Sequence, residues 1–229
     1  ADGWFRGSVA AYGVTNVFGK QTSVIAQLEI AYADDSIETI TTDNSWNFSN
    51  DGPIRFADLK DGEVYDASMS PSYLKKAKEV IWPEAILCSS NNVYIKEHEN
   101  FSAELIHSSD NRKVLDFSQN IAGYLAFKVK GKKGQRIRLK LGEVLDEKGH
   151  VDLNGIQEEK PAGEWNQIRL ISKLMNNKVI GKTSVTPKQE IIFYCSGNQD
   201  FYKTSFAIFG FRYAEVDSDI EIEPDDFKA

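Results

Sequence analysis

The chain has little with which to do redox, metal or nucleotide chemistry. Its 229 residues include two cysteines, three histidines and two methionines. Cys88 and Cys195 are too few for a disulfide framework, and neither has zinc-ligand spacing. Each lies in or beside an apolar run, where a small buried thiol is the ordinary expectation. His98, His107 and His150 share no spacing, so a histidine metal cluster or a histidine-activated nucleophile has no basis. Phosphate-binding fingerprints of the G-x-x-x-x-G-K or G-x-G-x-x-G kind do not occur. No apolar run approaches the roughly 18 residues of a membrane-spanning helix. Positive charge is also short: 27 Lys and Arg face 34 Asp and Glu, a formal net charge of -7. That balance disfavours nucleic acid as a partner. No signal peptide opens the sequence, but it begins abruptly at Ala1-Asp2-Gly3-Trp4, as a cut piece would. Cytoplasmic and secreted or periplasmic locations therefore both stay open.

What the sequence has in quantity is two-faced strand pattern. Hydrophobic residues make up 41% and aromatics 11%, enough to fill real cores. From Leu125 to Leu141 the alternation is clearest. Leu125, Phe127 and Val129 share one face, with Ala126, Lys128 and Lys130 on the other. After Gly131-Lys132-Lys133-Gly134 it resumes with Ile137, Leu139 and Leu141 inward and Arg136, Arg138 and Lys140 outward. The pattern predicts a hairpin half-buried against a core, its basic face being the wet side. A second hairpin is expected at Val24–Tyr32 and Ile37–Thr42 around Ala33-Asp34-Asp35-Ser36. Between them, Leu74, Ala77 and Ile81 recur at helical spacing behind Ser70 and Pro71, which predicts a short surface helix over 71–82. A further short helix is expected at Glu164–Met175. The run Asp217–Asp226 reads as a solvated acidic linker.

Many short strands joined by Gly, Asn and Asp turns, with no long amphipathic helix, predict an all-β protein of two antiparallel β-sandwich modules. Composition changes near Pro83–Asn92 place the boundary there. The expected division is 1–88, 89–218 and an acidic linker at 219–229.

A family resemblance agrees with this class. Asp116-Phe117-Ser118-Gln119-Asn120-Ile121-Ala122-Gly123 resembles the D-F-G-Q-N-I-A-G signature of bacterial α-L-rhamnosidases, glycoside hydrolase family 78. Gly142-Glu143-Val144-Leu145-Asp146 and Phe209-Gly210-Phe211-Arg212-Tyr213-Ala214-Glu215-Val216 continue it. Upstream, Gly3-Trp4-Phe5-Arg6-Gly7 is similar to the family's G-W-Y-R-G. Thr42-Asp43-Asn44-Ser45-Trp46 and Asp61-Gly62-Glu63-Val64-Tyr65-Asp66-Ala67 match two further anchors in order. The resemblance implies two non-catalytic jelly-roll-like modules ahead of a helical barrel that carries the active site. The first is similar to carbohydrate-binding module family 67, which in some members binds L-rhamnose with calcium. Strands that the family has before G-W-Y-R-G are missing, so the first module reads as truncated. Ser118 stands where the family has glycine, and Ser68 where it has arginine.

Glycoside hydrolysis needs two carboxyl groups flanking the scissile bond, and the resemblance places an inverting pair on the barrel. Glu63 with Asp66, or Glu143 with Asp146, can be proposed as local stand-ins, but such pairs at strand ends ordinarily accept turn hydrogen bonds. No catalytic residue is assigned. For a rhamnose-containing glycan the candidate contacts are Asp43, Asn44, Trp46, Glu63, Tyr65 and Asp66. Asp43 and Asn44 offer oxygen ligands for Ca2+, or alternatively an Asx-turn. Trp46 and Tyr65 either stack on a pyranose or belong to the core. Gln119 and Asn120 read as structural amides or as an interface with the polypeptide's own catalytic barrel. Arg212 pairs with a carboxylate at a sheet edge or meets that barrel.

Overall fold

Alternating sequence makes strands because successive side chains leave the backbone on opposite faces. The structure, a computed structural model, describes residues 3–7, 16, 18–81, 89, 96–109, 112–156 and 187–229. After one helical turn, α1 (Gly3–Arg6), the early strands are β1 (Gln27–Ala31), β2 (Ile37–Thr41), β3 (Asn47–Phe48), β4 (Ile54–Asp58), β5 (Gly62–Asp66) and β6 (Lys75–Lys76). Next come β7 (Glu104–Ser109), β8 (Arg112–Gly123), β9 (Ala126–Lys130), β10 (Arg136–Gly142), β11 (Val144–Leu145) and β12 (Val151–Asp152). The last four are β13 (Glu190–Tyr194), β14 (Gln199–Lys203), β15 (Phe209–Asp217) and β16 (Phe227–Lys228). The protein is all-β, as its alternation predicts.

Two compact units are present. One comprises Ala1–Lys20, Pro53–Ser70 and Glu99–Ala229, the other Gln21–Gly52 and Pro71–His98. The larger unit is a sandwich of a seven-stranded sheet, ordered β4-β5-β13-β10-β15-β8-β7, and a three-stranded sheet, β14-β9-β16. Neighbours pair antiparallel except β5 and β13, which run parallel with Gly62 opposite Glu190. Gly62 has φ +106, and a Cβ there would stand 1.8 Å from the Glu190 carbonyl oxygen. Only glycine permits that approach.

The core fills the space between the sheets. Leu115, Phe117, Ile137, Leu139, Leu141, Ile191, Phe193, Phe209 and Phe211 come from one side, and Phe127, Val129, Tyr202 and Phe227 from the other. Phe127 is the hub, with ring centroids 5.4 Å from Phe193, 5.6 Å from Tyr202 and 5.8 Å from Phe227. Each fully buried side chain of this size contributes about 1.5–3 kcal/mol. Cys195 is a free, buried thiol in the same cluster, and burial pushes its pKa up.

Three expectations need correcting. Leu125–Leu141 supplies β9 and β10, but they are not a hairpin. The Gly131–Gly134 segment carries the backbone from one sheet to the other, β9 pairing with β14 and β16 and β10 with β13 and β15. The helix over 71–82 is absent from 71–81, where only the two-residue β6 is regular. Leu74 is 89% and Ile81 93% exposed, so no buried face exists to hold a helix together. The acidic run is not a solvated linker: Ile220, Ile222 and Phe227 are buried, and β16 adds to the edge of β9. The expected helix at 164–175 and the Cys88 thiol lie outside the described residues.

In the smaller unit, β1 and β2 form the expected hairpin, Gln27 opposite Thr41 and Ala31 opposite Ile37. β3 pairs with β6.

Candidate functional site

The six candidate residues divide between the two units. Asp43, Asn44 and Trp46 lie on the turn between β2 and β3. The Asp43 Oδ1 accepts the Ser45 N–H at 2.8 Å and the Ser45 hydroxyl at 2.5 Å. This is an Asx-turn, and the Ser45 hydroxyl, then its N–H, hold the carboxyl below its usual range. Trp46 is 43% exposed, and its Nε1–H donates to the Thr41 carbonyl at 3.1 Å. The turn is tied down from β6, where the Lys76 ammonium donates to the Ser45 carbonyl at 3.0 Å. Calcium takes about six to eight oxygens. Two side-chain donors beside an ammonium do not fit that demand. Among the described residues no three His, Cys, Asp or Glu side chains converge as a cation site.

Glu63, Tyr65 and Asp66 follow one another along β5, and their environments differ because of strand parity. Glu63 points into the sandwich and is 3% exposed. Its carboxylate accepts the N–H groups of Ser205 at 3.0 Å, Phe206 at 2.6 Å and Ala207 at 2.8 Å. It also accepts the Tyr202 hydroxyl. A carboxylate out of water needs such a set of donors, and these four fix the connection between β14 and β15. Burial, then Glu63, pushes the Tyr202 phenol far above its ordinary pKa. Tyr65 also faces inward, its ring centroid 5.7 Å from Phe193 and 5.0 Å from Tyr202. It is core. Asp66 ends the strand, its Oδ1 accepting the Ser68 N–H at 2.9 Å. The Glu63 carboxylate is thus fully engaged inside the sandwich, and the Tyr65 ring is packed on its neighbours.

The signature around Asp116 is a bulge. Opposite β15, Tyr213 faces Asp116 and Phe211 faces Ile121, so residues 117–120 span one residue, Arg212. The detour needs one left-handed residue, and Ser118 takes it at φ +73. Asp116 secures the base. Its two oxygens accept the Arg212 Nε–H and Nη2–H, both at 2.8 Å, and Oδ1 accepts the Ser118 N–H at 2.7 Å. The Arg212 guanidinium therefore holds the Asp116 carboxyl below the usual carboxylate range. Gln119 and Asn120 are exposed on the bulge.

The other stand-in carboxylates also serve turns. Asp146 Oδ1 accepts the Lys148 and His150 N–H groups, each at 2.9 Å. Glu143 lies over Gly210, where a Cβ would come within 2.9 Å of its Oε1. Two polar partners have no local sequence signal. Tyr202 is invisible as the mate of Glu63 because 139 positions separate them. Glu215 is buried, accepts the Val151 N–H at 3.0 Å and lies 3.3 Å from the His150 Nδ1. The wet basic face behaves as expected: Arg136 pairs with Asp217 at 3.5 Å and Arg138 with Glu190.

Two family models match in succession: the α-L-rhamnosidase N-terminal domain over residues 1–100, and the bacterial α-L-rhamnosidase concanavalin-like domain over 106–167. The protein belongs to the bacterial α-L-rhamnosidase family. An α-L-rhamnosidase of Streptomyces avermitilis is 31% identical over 163 residues, which is 66% of this chain and 16% of that protein. The crystal structure of a Streptomyces avermitilis α-L-rhamnosidase complexed with L-rhamnose superimposes with a TM-score of 0.77 at 24% identity. It covers 100% of this chain and 21% of that one, a likeness of fold. A native α-L-rhamnosidase from Aspergillus terreus gives 0.76 at 26% identity, over 99% of this chain and 25% of that one. This rhamnosidase-family sequence spans roughly one sixth to one fifth of the curated relatives it matches.

Proposed function

We propose that this protein is the accessory β-region of an α-L-rhamnosidase that removes terminal α-L-rhamnose from glycans. Its role is to form and position a scaffold for a helical barrel elsewhere in the polypeptide, where paired carboxyl groups direct an inverting attack of water. The observation that carries this reading is the order of the two matches, N-terminal domain then concanavalin-like domain, within a small part of the relatives' length. It is supported by what the candidate carboxylates do: Glu63, Asp66, Asp116 and Asp146 hold a loop, two turns and an ion pair. The test is an assay of the purified protein on an aryl α-L-rhamnoside. No turnover is expected, and measurable hydrolysis by these residues would refute the reading.

A second reading, sugar binding in the smaller unit, is favoured by Trp46, half-exposed and held by its indole N–H beside Asp43 and Asn44. L-rhamnose would stack on that ring, with the turn's polar groups meeting its hydroxyls. Calorimetric titration with L-rhamnose, repeated with calcium and with chelator, decides it. Heat lost in Trp46→Ala supports sugar binding there, and heat that chelator leaves unchanged agrees with a turn that has too few oxygens for calcium. No heat at millimolar sugar leaves the scaffold role alone.

A further inference from the structure

Beyond the β12 strand the backbone turns at Leu153-Asn154-Gly155-Ile156. The Ile156 N–H closes the turn on the Leu153 carbonyl at 3.0 Å, and the Asn154 N–H is held by Asp152 Oδ1 at 2.8 Å. Asn154, Gly155 and Ile156 are all exposed. A Cβ built on Gly155 would meet nothing within 4 Å. The Gly155 N–H has no acceptor among the described residues. This is the only Asn-Gly pair in the sequence.

We propose that Asn154-Gly155 is a self-modifying site, at which the protein converts its own asparagine to isoaspartate and aspartate. The Gly155 amide nitrogen gives its proton to solvent base and attacks the carbonyl carbon of the Asn154 carboxamide. A new C–N bond closes a five-membered succinimide as the bond from that carbon to the carboxamide nitrogen breaks and ammonia leaves. Water then opens the ring at either carbonyl, giving aspartate or isoaspartate. Only water is consumed, and no electron changes hands. Three features allow it: an N–H with no acceptor among the described residues, no side chain on the following residue to block the attack, and a turn exposed from Asn154 to Ile156.

Two other pairs lack one of these. At Asn44-Ser45 the nitrogen that would attack is committed to Asp43 Oδ1. At Asp61-Gly62 the glycine is clamped in β5 against Glu190, so the nitrogen cannot swing toward the Asp61 carboxyl. The product matters locally. Isoaspartate inserts a backbone methylene into the turn and places a new negative charge beside Asp152. Val151 and Leu153, the buried residues just before it, pack on Gly142, where a Cβ would stand 2.5 Å from Val151 Cγ1.

The experiment ages the protein in mildly alkaline buffer, folded and in urea, and follows each asparagine by peptide mass and isoaspartyl methyltransferase labelling. Asn154 is expected to convert ahead of Asn44, at nearly the same rate in both states. Asp61-Gly62 is expected to isomerise only in urea. Gly155→Ala should slow the conversion several-fold with the melting temperature unchanged, since φ at Gly155 is not left-handed. Asn154 that survives in the folded protein while converting in urea, or a Gly155→Ala protein that converts as fast as its parent, would overturn the proposal.

Discussion

Ser118 shows how one side chain can sit against its backbone. At φ +73 a Cβ is crowded by about 1–2 kcal/mol, partly offset by the greater unfolded-state freedom of glycine. Ser118→Gly is therefore expected to raise stability by about 0.5–1 kcal/mol, read as a higher urea midpoint with an unchanged slope. Beneath it, Asp116 ties folding to acid. Its folded pKa is depressed, so its stabilisation is complete above the ordinary carboxylate pKa and is lost as pH falls through the folded value. Asp116→Asn should be less stable than its parent near neutrality, and the two should converge below about pH 4. Tyr202 gives the opposite sign. With its folded pKa raised, it favours the folded state fully below about pH 10 and progressively less above it. Alkaline absorbance titration should find one tyrosine that ionises only on unfolding. Glu63→Gln turns a pure acceptor into a partial donor facing three N–H groups, and a loss of about 3 kcal/mol is expected. An equally stable Glu63→Gln protein would mean that residues 205–207 are held some other way.

At the scale of elements, alternation tells which face of a strand is buried but not which strand lies beside it. Phe127 and Val129 against Lys128 and Lys130 are legible as β9, and Ile137, Leu139 and Leu141 as β10. The tight glycine segment between them suits a hairpin and a crossing between sheets alike, so the partners are not legible. At 71–81 apolar residues fall at helical spacing without a surface to bury them, and spacing alone carries little helix stability. In the tail, charge density masks Ile220 and Ile222, spaced as one face of a strand, and then Phe227 beyond the turn at Pro224–Asp226, all three of which reach the core. Deleting that anchor is testable: Phe227→Ala should cost about 3–5 kcal/mol, measured by chemical denaturation. The candidate site is legible to a similar degree. Asp43 behaves as the Asx-turn its neighbours allow, whereas the inward parity of Glu63 and Tyr65 emerges only once β5 has a partner.

For the whole molecule, sequence order and spatial grouping part company. Residues 53–70 lie before the composition change near Pro83–Asn92, yet they belong with 99–229 because β5 completes the sheet beside β13. A polypeptide beginning at residue 89 would lack the Glu63 carboxylate under its 205–207 loop and leave the β13 edge bare. Such a polypeptide is expected to bind a hydrophobic dye and to lose the cooperative melt of its parent.

The parallel contact between Gly62 and Glu190 also sets a timetable. Its two sides are about 130 residues apart, and at a ribosome's pace of roughly 5–20 residues per second the early side waits on the order of ten seconds for its mate. Throughout that interval β4 and β5 are a nascent edge with nothing to lean on. This is when a chaperone has most to offer, and when slowing translation after residue 66 would do most harm to yield.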